Sequence, residues 1–184
     1  MNFTIENKDL AKIASFCATK SQDRLEFHQN IFCTYRDGAF ELMATDGAAL
    51  ITYTIKQENE DVKEGFRFLI PAELYKKFDK KDTLLFTDTM EDRVIEVQDT
   101  GGCNSVKYKY GEPHCPNYEQ IMCNADNFQE ASFFEVFDPA QLKKLQKAIG
   151  AENYYRIKPK QPGQYQPCYW FYQNMIVVIM PMRP

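Results

Sequence analysis

Chemistry-bearing side chains are thinly spread along this chain, and lysine dominates among them. There are two histidines, His28 and His114, and six cysteines, Cys17, Cys33, Cys103, Cys115, Cys123 and Cys168. His114, Cys115, Cys103 and Cys123 are residue types of a zinc site, but their spacing matches no common ligand pattern. Cys115 beside His114 would put a thiol next to a base, yet neighbours on an extended chain point to opposite sides. Gly101-Gly102 is not followed by the Gly-Lys of a phosphate-cradling loop. The residues predict no catalytic group, no metal and no cofactor, hence a protein that is not an enzyme.

Positive charge is the remaining signal, and it stands out in an acidic chain. The 184 residues carry 22 Lys and Arg against 26 Asp and Glu, a net charge of −4. That total argues against wholesale binding to nucleic acid, but local fields depend on where the charge sits. Lys8, Lys12 and Lys20 border one apolar helical stripe. Lys76, Lys77, Lys80 and Lys81 border a second, opposite Leu74, Tyr75 and Phe78. Lys143, Lys144 and Lys147 border a third, opposite Leu142, Leu145 and Ile149. Lysine is a good helix former, which would explain one such face. Three of them at equivalent places predict non-specific contact with phosphates, which needs a positive face and no base-reading groups.

The elements that must carry these lysines repeat. Phe3 and Ile5 alternate with polar neighbours and predict a strand, followed by a helix capped by Asn7 with Leu10, Ile13, Ala14, Cys17 and Ala18 inward. Strands are predicted over 25–34, 40–45 and 50–55, with turns at Arg36-Asp37-Gly38 and Asp46-Gly47. Beyond an acidic, solvated connection at 58–64 the order recurs: strand 66–70, helix from Pro71 to about Lys81, and strands 83–87, 93–97 and 106–110. A third version has strand 133–137, a helix capped by Asp138-Pro139 and closed by Gly150, and strands 154–158, 168–172 and 175–180. The aromatic run from Tyr165 to Tyr172, with Trp170, is expected in the core and rim of that last sheet. The fold class expected is α+β, with repeated βαβββ units and helices on one face of antiparallel sheets. The chain is long enough to need no disulfides, so reduced thiols are expected. With no signal peptide and no apolar run of about 18 residues, a cytoplasmic protein without a membrane partner is expected.

Several segments resemble the bacterial DNA polymerase III beta subunit, the sliding clamp. Ser21-Gln22-Asp23-Arg24 through Phe32, and Met43-Ala44-Thr45-Asp46-Gly47-Ala48-Ala49-Leu50, are similar to the opening half of that family's middle domain. Phe68-Leu69-Ile70-Pro71-Ala72 through Cys115-Pro116-Asn117-Tyr118 is similar to its closing half. Ile176 through Met180-Pro181-Met182-Arg183-Pro184 resembles the family's carboxyl terminus. The resemblance implies the DNA-clamp fold, with a complete domain over 1–122 (units 1–57 and 65–122) and half a domain over 123–184. It implies duplex DNA facing the lysine-bearing helices, with Arg24 in a loop near the duplex. It also implies a pocket for short peptide motifs of DNA polymerase or other clamp-binding proteins. One side of that pocket would be Thr45, Gly47, Ala48, Ala49 and Leu50, and the other Val178, Met180, Pro181, Met182 and Arg183, with Cys123 at the rim. The chain departs from the family at Ala48-Ala49, where a histidine–arginine pair is usual, and at Pro184 in place of leucine.

Two functions follow as expectations. One is a DNA-touching or DNA-encircling processivity factor, for which four three-unit copies would supply the twelve units of a clamp ring as a homo-oligomer. The other is a non-encircling module that binds replication or repair proteins. Half a domain also leaves a sheet edge that a partner chain or a local rearrangement must cover.

Overall fold

Alternating burial starts the fold. Phe3 and Ile5 are buried while Asn2, Thr4 and Glu6 face out, making a one-sided strand, β1 (Asn2–Glu6). In the computed structural model the described residues are 1–18, 26–58, 60, 62–88, 93–110, 129–130, 137–162 and 166–182. Helix α1 (Asn7–Ala14) follows, with Leu10, Ile13 and Ala14 inward. Next come β2 (Asn30–Arg36), β3 (Ala39–Thr45) and β4 (Ala49–Lys56). The second repeat holds β5 (Arg67–Pro71), a 3-10 turn (Leu74–Lys77), β6 (Thr83–Asp88), β7 (Val94–Asp99) and β8 (Ser105–Lys109). Beyond it lie β9 (Gln129–Glu130), α2 (Pro139–Ile149), α3 (Ala151–Tyr154), β10 (Lys160–Gln161), β11 (Cys168–Tyr172) and β12 (Met175–Ile179).

The strands form two sheets, ordered β1-β6-β7-β8 and β5-β2-β3-β4-β12-β11-β10-β9, and every pairing is antiparallel. The first two repeats exchange their opening strands: β1 pairs with β6 of the second repeat, and β5 with β2 of the first. Neither repeat can therefore complete its sheet alone. Phe3 locks the exchange, stacking on Phe86 of its own sheet at 4.6 Å and on Phe40 of the facing sheet at 4.5 Å. Ile31, Leu42, Leu84, Ile95 and α1's Ile13 close one core between the layers.

The third repeat extends the larger sheet, because β12 pairs with β4 from Met175 opposite Tyr53 to Ile179 opposite Ala49. At the far end β9 pairs with β10, Lys160 opposite Glu130 and Gln161 opposite Gln129. That edge is thus paired by residues of the same chain. Helix α1 touches both the 3-10 turn and α2, so the three lysine-bearing segments are neighbours.

Several expectations are corrected. The helix expected from Pro71 to Lys81 is a single 3-10 turn. Pro71 ends β5 opposite Asn30, and the amide of Asn7 donates to the carbonyls of Tyr75, Phe78 and Asp79 at 3.0, 3.1 and 3.0 Å. In an α-helix the Tyr75 carbonyl would take the Asp79 N–H; here that N–H goes to Asp82 Oδ2 at 2.8 Å, and Phe78 is extended. Asn7 accordingly caps nothing and starts α1 with its side chain buried. The strand expected over 154–158 is absent: α3 and a turn occupy 151–156, with Asn153 donating to the Ile149 carbonyl at 2.9 Å and to Tyr172 Oη at 3.0 Å. The first expected strand after α1 begins only at Asn30, after a 3-10 turn at Glu26–Gln29. The connection at 58–64 is not wholly solvated, since Val62 is buried in the core. The strand expected over 133–137 lies outside the described residues except for Phe137, whose ring meets Trp170 edge-on at 5.7 Å.

Candidate nucleic-acid and peptide interface

The turn between β3 and β4 is built by its own side chains. Thr45 Oγ1 donates to the Ala49 carbonyl at 2.7 Å and accepts from Gly47 N–H at 3.0 Å. Asp46 Oδ1 accepts from the N–H groups of Ala48 and Ala49, both at 2.9 Å. Gly47 sits at φ +89°, where a side chain would strain the backbone. Asp46 Oδ2 points across to α2, accepting from Gln141 Nε2 at 2.8 Å and Lys144 Nζ at 2.6 Å. Asp46 is only 5% exposed. Burial alone would raise its carboxyl, but the bonds from Lys144, Gln141 and the backbone of Ala49 and Ala48 outweigh it and hold the group at about 2.

The two lips expected of a peptide pocket are adjacent strands of one sheet. Leu50 lies opposite Val178 and Ala49 opposite Ile179, and Met180 N–H donates to the Ala48 carbonyl at 3.1 Å. A row of cross-strand neighbours runs Thr45, Leu50, Val178, Tyr169. Leu50, Val178 and Tyr169 join Phe32 and Met43 in an apolar cluster on the sheet face away from the main core. Its floor is closed: Leu50, Val178 and Pro181 are buried, and Thr45 and Ala48 half-buried, while Ala49 packs into the main core on the opposite face. Its rim is Gly47, Met180 and Met182, all exposed, the two methionines at 46% and 51%. Exposed methionines make an adaptable apolar rim. Cys123 and Arg183 lie outside the described residues.

The lysines divide by what they touch. Lys8 is paired with Glu6, and Lys12 with Asp9 at 2.7 Å, where Asp9 also accepts from Tyr53 Oη at 3.0 Å. Lys144 is committed to Asp46. Lys76, Lys77, Lys80, Lys81, Lys143 and Lys147 are exposed and make no ion pair with a described residue. Lys76, from the second repeat, and Lys147, from the third, line the same cleft of about 630 Å³ together with Ser15 and Cys17 after α1. Burial pushes the Cys17 thiol up to about 12, so it is inert there. Lys20 and Arg24 lie outside the described residues. Among the described residues no group of three or more His, Cys, Asp or Glu side chains could hold a metal ion. His114, Cys115 and Cys123 fall outside that set, and Cys103 is an exposed free thiol.

Met43, Tyr169 and Gln141 belong to this region without any sequence signal that assigns them to it, and Phe32 and Asp46 take parts that the sequence does not predict. Phe32, Met43 and Tyr169 read as ordinary strand residues, and only the cross-strand register gathers them. Asp46 reads as a turn residue, because its partners on α2 stand 95 and 98 positions away.

No protein-family model matches the chain, and no curated protein matches its sequence. Solved structures do match in shape. A DNA polymerase sliding clamp from Pseudomonas aeruginosa superposes with a TM-score of 0.73 at 12% identity, covering 100% of this chain and 66% of that one. The DNA polymerase III beta chain from Streptococcus pneumoniae gives 0.66 at 10% identity, covering 100% and 65%. The beta subunit from Borrelia burgdorferi gives 0.66 at 11% identity, covering 100% and 63%. The chain thus spans about two thirds of the length of the solved clamps it matches. Exchanged opening strands, sheets continued from repeat to repeat and superposition over the whole chain give this chain a clamp-like fold, that of the bacterial DNA polymerase III beta subunit.

Proposed function

We propose that this chain is a clamp-like accessory (processivity) protein of DNA replication that touches duplex DNA non-specifically through exposed lysines and docks short peptide motifs of a polymerase or another clamp-binding enzyme. The β4–β12 pairing carries the reading: it sets the Thr45–Leu50 lip beside the Val178–Met182 lip, with an apolar floor and a methionine rim. Such a groove suits an extended or helical peptide with apolar anchors. The exposed lysines support the DNA contact. Their ammonium groups can neutralise phosphates while offering no fixed pattern for reading bases.

Duplex binding measured by anisotropy across a salt series tests the DNA contact. Reversing Lys76, Lys77, Lys80 and Lys81 to Glu should reduce affinity by about a hundredfold or more at low salt. Binding that survives unchanged would remove the basis for the contact. For docking, a fluorescent peptide with apolar anchors is the probe. Met182→Glu should weaken that probe at least tenfold, and an unaltered affinity would remove the groove from the proposal.

One observation favours the second reading, a non-encircling interaction module. The eight-stranded sheet takes its last strand, β9, from the same chain, so β10 is covered without a partner copy.

A further inference from the structure

We propose that Lys144 is a positioning residue of the peptide-docking lip and not a DNA contact: acting through Asp46, and alongside Gln141, it ties the Thr45–Ala49 turn of the first repeat to helix α2 of the third. The inference rests on the docking reading above and divides the lysines of α2 into two roles.

The two oxygens of Asp46 do different work. Oδ1 takes the N–H groups of Ala48 and Ala49 and so sets the shape of the turn. Oδ2 takes Gln141 Nε2 at 2.8 Å and Lys144 Nζ at 2.6 Å and so sets where the turn sits against α2. A carboxylate this buried needs a cation and well-placed donors to remain charged. Helical spacing explains why Lys144 provides the cation and its neighbours do not. Gln141, Lys144, Leu145 and Ala148 stand three or four residues apart and share the inward arc of α2, whereas Lys143 and Lys147 share the outward one. Lys144 is accordingly half-buried, and both flanking lysines are exposed.

Gln141 adds an independent sign that the place is built around an anion. Its Oε1 is buried with no hydrogen-bond partner, because the amide is turned to present its N–H to Asp46. An amide at position 46 would let Gln141 turn over and accept a hydrogen bond with Oε1.

Residue-resolved amide exchange on the full chain, together with the salt dependence of duplex binding, tests the assignment. Lys144→Met should speed exchange at Ala48 and Ala49 about tenfold or more relative to Phe86 in the core, and Lys144→Arg should restore it. The double variant Asp46→Asn with Lys144→Met should also restore it, since the shorter amide side chain still accepts from both backbone N–H groups and pairs with a turned Gln141. Lys143→Met and Lys147→Met should each lower the slope of log affinity against log salt by about 1, while Lys144→Met leaves it unaltered. Unchanged exchange at Ala48 and Ala49 in Lys144→Met, or a double variant as exposed as Lys144→Met alone, would overturn the tie. A slope loss for Lys144→Met equal to that for Lys147→Met would overturn its exclusion from DNA contact. Should the wild-type chain bind no duplex at all, the DNA half of the proposed function fails, and the exchange measurements still decide the tie.

Discussion

Asn7 organises more of this protein than its size suggests. Its amide serves three carbonyls of the 75–79 segment, one buried and two part-buried; in Asn7→Ala those of Tyr75 and Phe78 would lose it, while that of Asp79 keeps the Asp82 N–H at 3.0 Å. At about 1 kcal/mol per lost bond, and two hydrogens to share among three acceptors, the variant should lose about 2 kcal/mol. A urea titration should show a lower midpoint with an unchanged slope. Asp46 carries the complementary lesson for pH. Its carboxyl is held at about 2 in the folded chain against an ordinary value of 3.8. A depressed acid stabilises the fold fully above its unfolded value and loses that contribution as pH falls through its folded value. Discounted for the solvent that reaches Lys144, roughly 1–2 kcal/mol should therefore disappear between about pH 4 and about pH 2. Asp46→Asn should flatten that part of the acid-unfolding curve; an identical curve would show that the carboxylate is not coupled to folding.

At the scale of elements, α2 and the 74–81 segment show how far local signals reach. Both carry lysines three and four apart beside an apolar arc, and only α2 forms a helix. Its start is encoded locally: Asp138 Oδ1 accepts from Ala140 N–H at 2.8 Å, and Pro139 occupies the first turn. Asp138→Ala should cost about 1 kcal/mol by thermal or urea unfolding, with no effect on the exchange of the Thr45–Ala49 turn. The 74–81 segment is decided from outside, by Asn7 from nearly seventy residues earlier and by Asp82. Its lysines are exposed all the same, because Leu74 and Phe78 are what the core takes from it.

For the whole molecule, the edges decide what can assemble. The outer edge of β1 is occupied by Gln57, whose Oε1 accepts from Thr4 N–H at 3.2 Å and whose Nε2 donates to the Asn2 carbonyl at 3.4 Å. β9 covers β10. Among the described residues no strand pairs with the outer side of β8, which carries exposed Lys107 and Lys109, nor with those of β5 and β9, which end the larger sheet. An encircling assembly could join copies at any of these three edges. Light scattering across a concentration series should then give a multiple of 21.5 kDa, four-fold for a ring equal in repeats to a clamp. A mass of 21.5 kDa at every concentration would confine the function to docking and transient DNA contact.

By itself the sequence determined the repeat, the one-sided strands, the capped helix α2 and the lysine-rich character of three segments, because alternation, capping and helical spacing are written in near neighbours. Its resemblance to a known family also grouped Thr45–Leu50 with Val178–Met182, segments that the β4–β12 pairing sets side by side. Only the tertiary structure decided that Asn7 starts α1 and spends its side chain on a distant turn rather than on a cap. The same holds for Lys8, Lys12 and Lys144 being tied to acids while the lysines of the 76–81 segment stay exposed, and for Phe32, Met43 and Tyr169 joining Leu50 and Val178 in one apolar cluster. Those outcomes depend on partners far along the chain and on cross-strand register, and a buried polar group takes whichever partner the packed layers bring within about 3 Å.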